Sequence, residues 1–200
     1  MTHHDLLGKM FCAVEQITPL SEQEKELIGK YFTPHTIKKG EIYQAEGEIP
    51  QYLNFVIDGL LRKFIYNEDG DDITLEFSLT PGVFNSYDEF IGQKPVNEYM
   101  QALKDCTLMR MHHRDFEVLL NKSEAVKSFT IKIMQIMIKN AQDRVYDMAY
   151  RSAAERYQKF IERNIFSTNA IPLMHISTYL GIRPQSLSRL RRDFESRKTK

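Results

Sequence analysis

The 200-residue sequence predicts an α+β fold: an N-terminal antiparallel β-roll, a long connecting helix and a C-terminal helical domain built on a helix-turn-helix. Three observations carry that prediction. Between Thr36 and Met111 lie short runs of β-branched and aromatic residues, broken at regular intervals by Gly, Asp and Pro. From Ser123 to Ala149 the chain has no Gly or Pro and carries an apolar stripe at helical spacing. Residues 173–192 hold two short helical patterns hinged at Gly181. The boundaries that follow are 1–113 for the β-roll with its N-terminal helices, 114–149 for the connecting helix, and 150–200 for the helix-turn-helix domain.

Leu20-Ser21-Glu22-Gln23-Glu24 is a capping box preceded by an apolar residue, so a short helix is expected up to about Phe32. Tyr52 to Ile57 and Leu60 to Tyr66 flank the turn pair Asp58-Gly59 and read as strands. Asn67-Glu68-Asp69-Gly70 is a second turn. Ile73 to Leu79 and Tyr99 to Leu103 alternate with period two. From about Arg114 the period becomes helical. Ile133, Met134, Met137, Ile138, Ala141, Val145 and Met148 recur in steps of three and four. A helix of that span would be roughly 40 Å long. Such a length predicts a two-stranded coiled coil with a second chain, and the apolar flanks Phe129, Ile131 and Ile136 predict packing on the β-roll as well. The dimer helix is assigned Ile133, Met134, Met137, Ala141, Val145 and Met148.

In the last segment, Ile176 and Leu180 share a helical face. Gly181 supplies a turn where a left-handed backbone is cheap without a Cβ. Pro184 suits the first position of the next helix, and Leu187 and Leu190 point back toward the first. Small Ser177 sits where two crossing helices must approach closely. Gln185, Ser186, Ser188, Arg189 and Arg192 remain polar and outward. Gln pairs with adenine edges, Arg with guanine or phosphate, and Ser with either. A plain helical hairpin does not need that inventory, so double-stranded DNA is the expected partner. Base reading is assigned to Gln185, Ser186, Ser188 and Arg189, and phosphate contacts to Arg183, Arg191, Arg192, Arg197 and Lys198.

Charge supports this assignment despite a net charge of zero. Residues 151–200 hold 11 Lys/Arg against 4 Asp/Glu, a net of +7, on a body of −7. Cys12 and Cys106 are too few and too far apart for a thiolate-bound cluster and read as reduced thiols. No apolar run reaches the length that spans a bilayer, and the first residues lack a signal-peptide profile. A cytoplasmic protein without membrane contact is expected. Of six histidines, His112 and His113 are adjacent and would face opposite sides of a strand, which predicts no shared metal. His175 is expected at the surface. No catalytic constellation is evident, so no enzyme activity is expected.

The order of strand-rich domain, striped helix and helix-turn-helix resembles the cyclic AMP receptor protein and FNR family of bacterial transcription regulators. Lys39-Gly40-Glu41, with Gly47 following, looks like the start of that family's β-roll. Phe55 to Arg62 looks like its next hairpin, and Pro81-Gly82-Val83-Phe84 like the turn into its ligand cassette. The resemblance runs from about Leu20 to Arg192. It implies a cyclic-nucleotide-binding-like jelly roll, a winged-helix-like C-terminal domain, a homodimer and an inverted-repeat DNA site, and it admits RNA polymerase as a further partner.

Members that bind cyclic nucleotides carry a Gly-Glu pair and an Arg-Ser pair in the cassette. Here Val96-Asn97 stands near the latter and no arginine lies in residues 84–99, where Lys94 is the one cation. A phosphodiester among Asp88, Glu89 and Glu98 meets repulsion. The expectation is an effector other than cyclic AMP, or none, with Phe84, Ser86, Asp88, Glu89, Val96 and Asn97 as the candidate effector pocket. No cofactor is expected. The competing reading is a sensor or scaffold protein whose helix-turn-helix no longer binds DNA.

Overall fold

The computed structural model describes residues 1–78, 80–163 and 171–198. The elements run α1 (His3–Glu15), α2 (Glu22–Gly29), β1 (Thr33–Ile37), β2 (Ile42–Gln44), β3 (Tyr52–Asp58), β4 (Leu61–Tyr66), β5 (Asp72–Phe77), β6 (Gly82–Val83), α3 (Tyr87–Gly92), β7 (Tyr99–Ala102), β8 (Cys106–His112), α4 (His113–Lys122), α5 (Glu124–Tyr150), α6 (Ala153–Arg163), α7 (Leu173–Leu180) and α8 (Pro184–Lys198). Antiparallel sheets plus helices, one of them long, match the predicted α+β class. The chain divides into two compact units, residues 1–63 with 77–138, and residues 64–76 with 139–200.

The roll is made of two four-stranded sheets, ordered β1-β8-β3-β6 and β2-β7-β4-β5. Strand alternation gives the first sheet two different apolar faces. Along β3, Val56 points into the roll beside Ile37, Leu61, Phe84, Met100 and Leu108. Its neighbours Leu53, Phe55 and Ile57 point the other way and meet the helical residues Leu6, Met10, Phe116, Leu119 and Ile133 and the loop residue Phe32. The strand is therefore buried from Leu53 to Ile57 without a break. The turn after it admits only glycine. At Gly59, φ is +112°, and a Cβ there would lie 2.5 Å from the Cys106 sulfur and 2.7 Å from the Asp105 carbonyl oxygen. Burial pushes the Cys106 thiol up to about 11, so it stays protonated.

Helix ends follow local chemistry. Ser21 caps α2 reciprocally with Glu24, whose carboxylate accepts the Ser21 N–H at 2.9 Å. Hydrogen bonds from Ser21 hold the Glu24 carboxyl below its ordinary range. Helix α2 stops at Gly29, earlier than the expected Phe32, because Thr33 already pairs with Arg110 in the sheet. Helix α1 opens with a second capping box, Thr2 with Asp5, and buries Leu6, Met10 and Val14. Ser152 and Glu155 start α6 in the same way. His112 ends β8 and caps α4, its Nδ1 accepting the Arg114 N–H at 3.1 Å, while His113 is buried with its ring edge-on to Phe90.

Candidate nucleic-acid interface and sensor cassette

The second unit places α7 and α8 around a closed apolar seam. Ile176, Leu180 and Leu187 are buried, as are Tyr157 and Phe160 of α6. Tyr157 meets Phe194 and Phe160 meets Tyr179, with ring centroids about 5.5 Å apart in each pair. Ser177 is fully buried and donates to the Met174 carbonyl at 2.7 Å, so its small side chain leaves no unpaired hydroxyl at the crossing. Gly181 adopts φ +64° and ψ +39°, and the Ile182 N–H returns to the Ser177 carbonyl at 3.0 Å. The Arg156 guanidinium donates to the Leu180 carbonyl at 3.0 Å and closes the end of α7. Below it, Asp147 accepts from Lys159 and from Arg151, each at 2.8 Å. Burial alone would raise the Asp147 carboxyl; the hydrogen bonds from Lys159 and Arg151 outweigh it and hold the group below its ordinary range.

On this frame Gln185, Ser186, Ser188 and Arg189 are all exposed on α8, with Leu187 buried beneath them. Ser188 donates to the Pro184 carbonyl at 3.1 Å. Arg183, exposed, precedes α8, and its carbonyl accepts the Leu187 N–H. Arg192 is exposed and Arg191 half-buried. The side chains of Arg197 and Lys198 lie outside the described residues. His175 departs from expectation. It is buried, 4.0 Å from the Asp72 carboxylate, because its side of α7 packs within the unit rather than facing solvent. The neighbouring Thr178 hydroxyl accepts the Thr74 N–H at 3.1 Å.

The long-helix residues fall on two faces. Ile133 is buried and Met137 half-buried against the core of the first unit. Met134, Ala141, Val145 and Met148 are exposed, together with Ile131 and Ile138. Positions 131, 134, 138, 141, 145 and 148 form a heptad seam with alternating steps of three and four.

In the cassette, Phe84, Ser86 and Val96 are buried, Glu89 is half-buried, and Asp88 and Asn97 are exposed. Lys94 is exposed and lies 3.9 Å from Asp88. Two cations that sequence reasoning passed over stand in the roll instead. Lys63 of β4 is buried, donates to the Asn85 carbonyl at 2.7 Å, and lies 3.5 Å from the Glu98 carboxylate and 5.2 Å from the Phe84 ring centroid. The same Glu98 oxygen accepts the Ser86 hydroxyl at 2.5 Å. Arg110 of β8 lies over the Tyr52 ring at 4.2 Å, near the Tyr43 hydroxyl that donates to Asn54. Burial raises the Tyr43 phenol, and Arg110 partly offsets this. The available signal was a charged residue inside an apolar strand, as in Leu61-Arg62-Lys63-Phe64 and Met109-Arg110-Met111. Alternation puts Lys63 on the same side of β4 as Leu61 and Arg62 on the other, where Arg62 is also buried and donates to the Gln101 side-chain oxygen at 2.8 Å.

Residues 34–123 match the family model of the cyclic nucleotide-binding domain. Similar solved structures include FixK2 from Bradyrhizobium japonicum, 18% identical, with 84% of this chain and 86% of that chain covered and a TM-score of 0.73. CooA from Carboxydothermus hydrogenoformans, solved as a mutant, is 18% identical over 93% of this chain and 84% of that one, with a TM-score of 0.69. A regulator of the Crp/Fnr family from Eubacterium rectale, described as a putative transcriptional regulator, is 22% identical over 89% of this chain and 85% of that one, with a TM-score of 0.67. The sequence matches none of the curated proteins. Residues 34–123 are thus similar to the cyclic nucleotide-binding domain. The chain as a whole has the fold of the Crp/Fnr regulators, the family that the sequence resembles. Among the described residues, no helix is long and apolar enough to cross a membrane.

Proposed function

We propose that this protein is a homodimeric, DNA-binding transcription regulator of the Crp/Fnr type that reads an inverted-repeat site, acts without enzymatic chemistry, and answers to an effector other than cyclic AMP or to none. One observation carries the reading: α8 presents Gln185, Ser186, Ser188 and Arg189 to solvent from above the fully buried Leu187, so the base-reading set is held by a packed frame. Arg183, Arg191 and Arg192 supply phosphate contacts around it. Two copies joined along the α5 seam present two such helices, which sets half-sites about one helical turn apart.

The cassette supports an effector other than cyclic AMP. The buried Lys63 of β4, beside the cassette's Glu98, already faces that internal anion, and a cyclic phosphodiester entering there would have to displace it.

The test is selection of DNA sites from a random pool, followed by gel shifts at two salt concentrations. A palindromic consensus is expected, with Arg189→Ala costing about 1–3 kcal/mol and relaxing preference at one base pair per half-site. Binding that is equally weak on every sequence would leave a sensor or scaffold with a silent helix-turn-helix.

A further inference from the structure

Behind the first sheet, within the first unit, lies an apolar cavity of about 50 Å³, walled by α1, α2, β3, β6, α3, β8, α4 and α5. Its seventeen lining residues include two with hydroxyls, Tyr87 at the start of α3 and Thr130 on α5. Burial raises the Tyr87 phenol, and a hydrogen bond with Thr130 partly offsets this. Among the described residues, no charged side chain lines the space.

We propose that this cavity is a binding site for a small, uncharged, apolar molecule of a few heavy atoms, seated between α3 and α5. Three arguments carry it. The first is size. A water-sized probe needs roughly 10–15 Å³, so the cavity has room for about three to five such volumes. The second is chemistry. Buried water needs two to four polar partners, whereas the polar groups among the lining side chains are two hydroxyls, of Tyr87 and Thr130. A charged ligand would be buried without a counter-ion. Carbon-lined walls lacking partner atoms gain dispersion contacts from an apolar guest. The third is position. Phe129 and Val126 of α5 and Tyr87 of α3 touch the same space, so a guest tightens the packing of the cassette helix against the helix that carries the exposed seam. This site is separate from the roll interior around Lys63 and does not rest on the DNA-binding reading.

Xenon is the probe. With the full-length chain, ¹²⁹Xe NMR is expected to show a shift that saturates with xenon pressure, and the thermal midpoint is expected to rise under xenon but not under argon at equal pressure. Ala125→Leu on α5 and Val83→Leu on β6 each add carbon to the lining and are expected to weaken xenon binding at least tenfold. Hydrogen exchange in α3 and the first half of α5 is expected to slow at least two-fold with xenon bound. A ¹²⁹Xe shift that only grows in proportion to protein concentration overturns the site, as does unchanged affinity in whichever filled variant folds. Saturable binding without protection of α3 and α5 overturns the coupling.

Discussion

Replacing Ile138 with Asp tests the seam on α5. The side chain is 58% exposed in the single chain, so pairing two helices buries slightly more than half of an isoleucine from each copy. At about 1.5–3 kcal/mol for full burial, that is roughly 1–2 kcal/mol per helix, or about 2–4 kcal/mol per dimer. Two carboxylates facing each other in the seam add desolvation and repulsion of about 1–3 kcal/mol. The sum, about 3–7 kcal/mol, raises the dimer dissociation constant by roughly a hundredfold to a hundred-thousandfold, since each 1.4 kcal/mol is tenfold. Sedimentation equilibrium at micromolar concentration is expected to show wild-type dimers and Ile138→Asp monomers, with Gln135→Asp, on the exposed polar side, remaining dimeric. Met137→Asp is expected to act differently. Because Met137 packs on the first unit's core, its charge lowers the thermal midpoint of the folded chain instead of only splitting the dimer. A dimer that survives Ile138→Asp refutes the heptad seam, and a monomeric wild type refutes pairing along α5 altogether.

Three further outcomes follow from the same contacts. Gly59→Ala combines a left-handed backbone with a clash against the Asp105 carbonyl and the Cys106 sulfur, so urea titration is expected to show a loss of at least about 2 kcal/mol; a loss within error would contradict the turn geometry. Asp147 has a depressed folded-state pKa, so its contribution is present above the unfolded value of about 3.9 and fades as pH falls through the folded one. Thermal melts from about pH 6 down to about pH 3 should therefore fall more steeply for wild type than for Asp147→Asn, and parallel curves would sink the assignment. Calorimetry with cyclic AMP and cyclic GMP is expected to register no binding to wild type, while Glu98→Ala removes the carboxylate beside Lys63 and makes an anionic ligand's binding measurable. Low-micromolar cyclic AMP affinity in the wild type would reject the internal ion pair as the block.

The sequence by itself determined what depends on near neighbours along the chain. The Ser21–Glu24 capping box, the turns at Gly59 and Gly181, the alternation of the strands and the packing of Ile176, Leu180 and Leu187 all follow from backbone preference and periodicity, which act within a few residues. Tertiary structure alone decided what depends on which face meets which surface. The stripe on α5 reads as one band in sequence, yet Ile133 and Met137 turn to the core and Met134, Val145 and Met148 to solvent, because a helix packed on a sheet has two apolar sides. His175 looked like a surface residue until α7 was seated beside Asp72. The cassette showed the same limit. Its contiguous residues 84–99 suggested Lys94 as the cation, whereas strand pairing carried Lys63, from 31 positions upstream of Lys94, into the interior against Glu98. A pocket is assembled from residues distant in sequence, and long-range pairing, not local spacing, selects them.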